Sequence, residues 1–259
     1  MSAIGAFAYE TYYLGLRTTR RFLRVPSNWI SILFFPLIQL LVFSQLYQQI
    51  VELPAFAGQS SYLAYLAPGQ VVFTAFMAVA WSAYGLVMEY RTGYLDKLRA
   101  SPIARWSILA GEMVPLFFQA AVMAGVLLIV SLLLGATIVT GVGGFLLILG
   151  LSGVFGIAFA GTSFIPALLT KSEQATSTFA LVMFPLVFTS TAFVPEALMP
   201  GWMQAVNRWN PITYLIEAIR ALMVAGYDWS AIGAALLSMA ILGAILQMAT
   251  LGAFQRLTR

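Results

Sequence analysis

Cysteine and histidine are both absent from the 259 residues. Without cysteine there are no disulfides, no thiolate metal sites and no thiol nucleophile. Without histidine the chain lacks the commonest metal ligand and the usual general base near neutral pH. Charge is scarce as well. Asp, Glu, Lys and Arg make up 8% of the sequence, against about 25% in a soluble globular protein. No phosphate loop of the form G-x-x-x-x-G-K-[ST] occurs, so the chain does not hydrolyse ATP by that chemistry. Its nine acidic residues are scattered and none is placed in mid-span, which argues against an intramembrane enzyme, a metal centre or a proton-coupled carrier. The net charge of +4 is too small and too dispersed to suggest nucleic acid.

What is abundant is apolar surface, at 61% of residues. A sphere of this composition could not present a wettable exterior, so most of the chain takes lipid as its solvent. A spanning helix needs roughly 20 apolar residues, and the gaps between charges count the spans. Arg24 to Glu52, Glu52 to Glu89, Glu112 to Lys171, Glu173 to Glu196 and Asp228 to Arg256 leave room for six. They are expected at about 29–50, 66–88, 113–137, 145–169, 175–194 and 230–254, with a turn at Gly141, Gly143 and Gly144 and a proline, Pro185, inside the fifth. The stretch from Pro195 to Asp228 carries Arg208, Glu217 and Arg220 and is cut by Pro200 and Pro211. It reads as short amphipathic helices at, or dipping into, the interface rather than a seventh span.

Six spans put eleven Lys and Arg on the side of the termini and two, Arg208 and Arg220, on the other. Basic loops stay inside, so both termini are expected in the cytoplasm, in the plasma (inner) membrane. Residues 1–25 form their own element. On a helical wheel Glu10, Arg17, Arg20, Arg21 and Arg24 oppose Tyr9, Tyr12, Leu16 and Leu23, the pattern of a helix lying on the membrane surface. No cleavable signal peptide is apparent. Between spans two and three, Gly93 permits a bend. Residues 94–100 can make about two helical turns, and Pro102 disfavours continuing them through Ser101. A short rigid helix there suits force transmission from a soluble partner; an ordinary solvated basic loop is the alternative.

Three motifs carry a family resemblance. Glu89, Arg91, Gly93, Leu98, Arg99, Ser101, Pro102 and Ile103 resemble the cytoplasmic loop E-x-R-x-x-G-x-x-x-x-L-R-x-[ST]-P-[IL] of ABC-2 type transporter permeases, with the glycine spaced one residue closer than in some members. Pro195 to Trp202 resembles P-x-x-x-[LM]-P-x-W, and Asn210 to Arg220 resembles N-P-x-[ST]-Y-x-x-[ED]-x-x-R. Daunorubicin-resistance and nodulation-factor export permeases are the nearest look-alikes. The resemblance implies an all-α polytopic protein that works as a dimer, with a second copy of itself or a paralogous permease. A separate ATP-binding subunit would bring the ATP and magnesium; this chain would hold no cofactor. It assigns Glu89, Arg91, Gly93, Leu95, Leu98, Arg99, Ser101 and Pro102 to coupling with that ATPase. It assigns Trp202, Asn210, Pro211, Tyr214, Glu217 and Arg220 to an outer gate.

Within the spans, Phe73, Phe76, Met77, Trp81 and Tyr84 form a soft aromatic stripe on span two. Thr189 and Ser190 place hydroxyls near the outer end of span five. Both sets are candidates for the substrate pathway. Packing into lipid is the alternative for the rings, and bonding to their own helix backbone is the alternative for the hydroxyls. Ser152, Gly156 and Ala160 form a small-residue face, read as packing within one subunit before a dimer contact. The cargo expected is an amphipathic drug or lipid. A polysaccharide or lipo-oligosaccharide is the runner-up, and a non-transporting membrane scaffold the reading from another class.

Overall fold

The computed structural model describes residues 3–56, 60–80, 82–101 and 103–258, and among them every regular element is helical. In chain order the α-helices are α1 (Ala3–Leu23), α2 (Pro26–Leu46), α3 (Tyr62–Ala80), α4 (Tyr84–Arg91), α5 (Tyr94–Ala100), α6 (Arg105–Met113) and α7 (Pro115–Leu133). They continue with α8 (Gly141–Phe159), α9 (Gly161–Thr170), α10 (Glu173–Phe188), α11 (Gly201–Trp209), α12 (Pro211–Arg220) and α13 (Trp229–Thr258). Trp81 and Pro102 lie outside the described residues, as do the side chains of Leu95 and Arg99.

The core is built around α3. All nineteen of its residues are buried, as befits a helix that is apolar on every face. It packs against α2, α7, α8 and α12. Inside this lipid-soluble bundle two pairs of polar side chains meet one another. The Gln70 amide donates to the Gln39 side-chain oxygen at 3.4 Å. Ser82, just past the end of α3, lies 3.0 Å from Ser163 of α9, hydroxyl to hydroxyl. The small-residue face of α8 is used inside the chain. A Cβ at Gly156 would sit 2.6 Å from the Leu116 carbonyl oxygen, so α7 and α8 approach as closely as only glycine allows. Ser152 and Ala160 on the same face are fully buried.

Five helical segments among the described residues are long and apolar enough to cross a membrane: Trp29–Leu46, Tyr62–Arg91, Trp106–Leu133, Gly141–Thr170 and Trp229–Arg256. Each overlaps an expected span, with shifted ends. The third starts earlier than 113 because α6 runs almost directly into α7, with Pro115 in the first turn, where a proline costs no hydrogen bond. The turn expected at Gly141, Gly143 and Gly144 lies earlier, over residues 134–140, and α8 opens at Gly141. The expected span 175–194 is a shorter helix. α10 has 16 residues, or about 24 Å of rise, and ends at Phe188. The chain then folds back through Thr189–Phe193.

Despite its length α10 runs from one end of the bundle to the other. At its start Glu173 meets Arg91 at the end of α4; beyond its end Thr191 meets Tyr65 at the start of α3. The bundle therefore has an Arg91 end and a Tyr62 end. At the Arg91 end lie α1, α5, α6 and the last turns of α13, whose Phe254 ring stands 6.3 Å from that of Trp106. At the Tyr62 end lie α11 and α12. Beside them Asp228 caps α13, accepting from the backbone N–H groups of Ser230 (2.9 Å) and Ala231 (3.1 Å). The Ser230 hydroxyl and these amides hold the Asp228 carboxyl below its ordinary value.

Candidate functional site

Residue chemistry concentrates at the two ends of α3. At the Arg91 end, Gly93 takes φ +68°, a left-handed conformation that costs glycine nothing and a branched residue dearly. That bend starts α5. Ser101 is extended, as expected ahead of Pro102, and ends it. Leu98 turns inward and is buried, whereas Lys97 faces outward. The Ser101 hydroxyl donates to the Leu98 carbonyl at 2.6 Å.

Around α5 stands a four-charge joint. Arg17 and Arg21 of α1 both donate to Glu89 of α4, at 2.6 and 2.8 Å. The same two arginines reach Glu112 of α6, at 3.0 and 3.3 Å. The Thr18 hydroxyl adds a bond of 2.7 Å to Glu112. Burial works against the charge on Arg17, and the Glu89 and Glu112 carboxylates outweigh it, holding the guanidinium above its ordinary pKa. Further along α1, Glu10 accepts from the Ala104 N–H (3.0 Å) and the Ser107 hydroxyl (2.7 Å), fastening α1 to the start of α6. Arg91 pairs with Glu173 at 2.9 Å, and the Lys171 ammonium meets the Tyr90 hydroxyl at 3.0 Å. Arg17 also lies 4.6 Å over the Tyr94 ring in the first turn of α5. The helices on both sides of α5 are thus tied to one strut, α1.

This geometry corrects two sequence readings. Arg17 and Arg21, expected to face water from a helix lying on the membrane surface, keep 34% and 42% of their side chains exposed. Their guanidiniums turn onto carboxylates, and Tyr9, Tyr12 and Tyr13 are exposed on α1 alongside Arg20 and Arg24. Glu89 is buried under α1, so it braces the joint and is not available to a docking partner. Glu112, which completes the joint, was legible only as the charge that ends a loop.

At the Tyr62 end, Arg220 of α12 is the hub. Its guanidinium donates to the Thr191 carbonyl at 2.8 Å, to the Thr191 hydroxyl and the Tyr65 carbonyl at 3.4 Å, and to Glu217. It stacks 4.1 Å over the Tyr65 ring. Asn210 caps α12, accepting from Ile212 N–H at 3.0 Å, while its amide donates to the Leu186 carbonyl of α10. Pro211 fills the first helical position, and the Tyr214 hydroxyl donates to the Arg208 carbonyl at 2.7 Å. Seven of the ten residues of α12 are buried, so it packs into the bundle instead of lying along its surface. The Glu217–Arg220 pair is accordingly an interior contact on its Arg220 side, where 9% of the side chain is exposed. Trp202 is exposed on α11.

The pathway assignments fare differently. Phe73, Phe76 and Met77 are interior residues. Phe184 of α10 meets the Phe73 ring edge-on at 5.8 Å and the Phe76 ring at 5.5 Å, and Phe159 at the end of α8 meets Phe76 at 5.8 Å. A substrate wall needs access that these side chains lack, so they are core. Thr189 and Ser190 donate to carbonyls of their own helix, Pro185 at 2.8 Å and Val187 at 2.5 Å, so their hydroxyl protons are taken up by the backbone. Tyr84 is half-buried beside the α3–α4 break.

Comparison with known proteins agrees with the motifs. The ABC-2 type transporter family matches residues 9–224, a stretch that takes in both the joint and the Arg220 hub. The chain belongs to that family. Among its relatives is the daunorubicin resistance ABC transporter permease protein DrrB1 of Streptomyces coeruleorubidus, 31% identical over 80% of this chain and 72% of its own length. A ycf38 protein of Cyanophora paradoxa, named as a transport permease, is 30% identical over 83% of this chain and 74% of its own length. DrrC of Mycobacterium tuberculosis, named as a doxorubicin resistance ABC transporter permease, is 25% identical over 82% of this chain and 76% of its own. Members of the family are membrane permease subunits, not catalysts, and membership implies partnership with an ABC ATP-binding subunit. The ABC-2 chain described here is accordingly a multi-pass membrane protein.

Proposed function

We propose that this chain is the permease subunit of an ATP-driven exporter of an amphipathic drug or lipid, paired with a second permease and two copies of a separate ATPase. The observation that carries the reading is α5, a short helix bent away from α4 by Gly93 and braced on both sides through α1. A push on α5 has few soft places to be absorbed. Arg17 and Arg21 tie α4 and α6 to one strut, so displacement passes into α3 and α7. The ATPase would meet Lys97 and its neighbours, with ATP and magnesium held in that subunit. Termini at one end of the bundle require an even number of crossings, which supports counting α10 as the sixth. The basic residues gathered at that end support placing it in the cytoplasm.

Because α3 is enclosed, the pathway falls to other surfaces. The exposed apolar faces of α2 (Phe34, Ile38) and α10 (Leu181, Val182) are the candidates for the second copy and the cargo between them. Drug-resistance relatives support a hydrophobic cargo.

The test is ATPase activity of the reconstituted complex with and without a hydrophobic candidate such as daunorubicin. Wild type should show cargo-stimulated turnover. Gly93→Val should abolish the stimulation while the chain still inserts, because forcing a branched residue into the left-handed region costs about 1–2 kcal/mol. Gly93→Asn, which tolerates that region, should retain it. No Cβ clash confounds the comparison, since nothing lies within 4 Å of that position. Full stimulation in Gly93→Val would remove α5 from the coupling path.

A further inference from the structure

A cavity of about 430 Å³ opens between α1, the first turns of α2, the α3–α4 break and the start of α7. Arg21 and Glu112 of the joint form one corner. The rest is a separate space. Phe22, Ile32, Ala78 and Leu116 give it apolar walls, and all four are buried. Its mouth, at Val25 and Ser31, is exposed on the side of the bundle, where α1 passes into α2.

Gln119 faces into this space. The residue is 7% exposed and lines the cavity; no hydrogen bond to the described residues holds its amide, which stays accessible to an occupant. Volume and lining suit a small molecule, for which pockets run about 300–1,000 Å³, mostly apolar, with a few placed polar groups. Charge narrows the class. The two guanidiniums and two carboxylates of the joint cancel, so an ion entering the cavity would lose its hydration with no net charge to receive it. A neutral polar end faces no such cost.

We propose that this cavity is a binding site for a net-neutral amphiphile. A carbonyl or hydroxyl group sits on the Gln119 amide, and a flat or acyl body lies against Phe22, Ile32 and Leu116. The mouth lets the ligand enter sideways from the leaflet nearest α1. An occupant touches Thr18, Arg21 and Glu112 directly, so it loads the strut that braces α5; that last consequence rests on the transport reading, whereas the site itself does not.

The experiment uses the full chain alone in phosphatidylcholine nanodiscs, with no ATPase present. A diazirine-bearing monoacylglycerol is photolysed at rising concentration and its adducts are mapped by peptide mass spectrometry. Adducts on the segments carrying Phe22, Ile32 and Leu116 should saturate. Those on the exposed α13 face around Leu237 and Ile241 should rise linearly, as bulk lipid contact does. Gln119→Leu, matched in size, should raise the half-saturating concentration about three- to tenfold, the scale of one neutral hydrogen bond. Ser31→Trp, at the exposed mouth, should suppress the same adducts while leaving the thermal transition in place. Excess monoolein as competitor reports a lipid occupant, and excess anthraquinone, an uncharged planar ketone, reports a drug-like one; displacement by either supports the site. Linear labelling of the cavity segments, or saturation unchanged in both variants, overturns the proposal. Displacement by dodecyltrimethylammonium as strong as by monoolein overturns the neutral class. Saturable labelling in a chain that never associates with an ATPase would sink the transport reading and leave the site standing.

Discussion

The guanidinium of Arg220 joins α12, the start of α3 and the chain that leaves α10, through the carbonyls of Tyr65 and Thr191 and the Glu217 carboxylate. Removing it leaves those acceptors short of donors at the Tyr62 end. Arg220→Met should destabilise the chain by about 2 kcal/mol or more, read as a lower thermal transition in detergent. Arg220→Lys should recover little of it, because an ammonium lacks the planar fork that serves several acceptors at once. A transition in Arg220→Lys equal to wild type would mean that charge alone matters there. The motif spacing singled out Asn210, Glu217 and Arg220, and it could be read because the three lie within a few turns of one another. Their partners could not. Thr191 and Tyr65 are 29 and 155 residues away from Arg220, and no local pattern reports contacts at that distance.

At the scale of elements, legibility followed punctuation. Gly93 and Pro102 bracket α5, and the helix at Tyr94–Ala100 lies between them. Pro26 and Pro211 each stand in the first helical turn, where the ring fits without loss. On α3 there was nothing to read. A helix buried on every face has no polar side to orient it, so Phe73, Phe76 and Met77 looked like a stripe when they were a sector of the core. On α1 the wheel separated the charged face from the aromatic one but could not say which faced protein. Glu89 and Glu112, at positions that end two apolar runs, draw the arginines inward. Neutralising Glu112, 3% exposed, should cost on the order of 2–3 kcal/mol. That lies below the full penalty of a broken buried pair, because Arg17 and Arg21 keep about a third or more of their exposure. Glu112→Arg should be worse, with like charges facing each other. Adding Arg21→Glu to it should restore part of the thermal transition and of cargo-stimulated ATPase activity. A double variant no better than Glu112→Arg would show that the joint depends on shape and not on paired charge.

Across the whole molecule, five of the six spans expected from the charge gaps overlap helical segments long and apolar enough to cross a membrane, because lipid excludes charge from the middle of a span and the loops collect it. The sixth was the least secure, since Pro185 sits inside a 16-residue helix. α10 nevertheless connects the two ends through Glu173 and Thr191, which brings α1 and the last turns of α13 to the same end. The account then makes one end, with α5 and the joint, the docking face for the ATPase, and leaves the end with α11 and α12 away from it. The absence of cysteine makes this directly measurable. Single cysteines in place of Lys97 on α5 and Trp209 on α11, both exposed, would carry benzophenone maleimide in membranes that contain the partner ATPase. The account predicts a photo-cross-link from position 97 to a subunit bearing a phosphate loop and none from position 209. A cross-link to that subunit from position 209, or none from position 97 in a complex that still hydrolyses ATP on cargo addition, would contradict it.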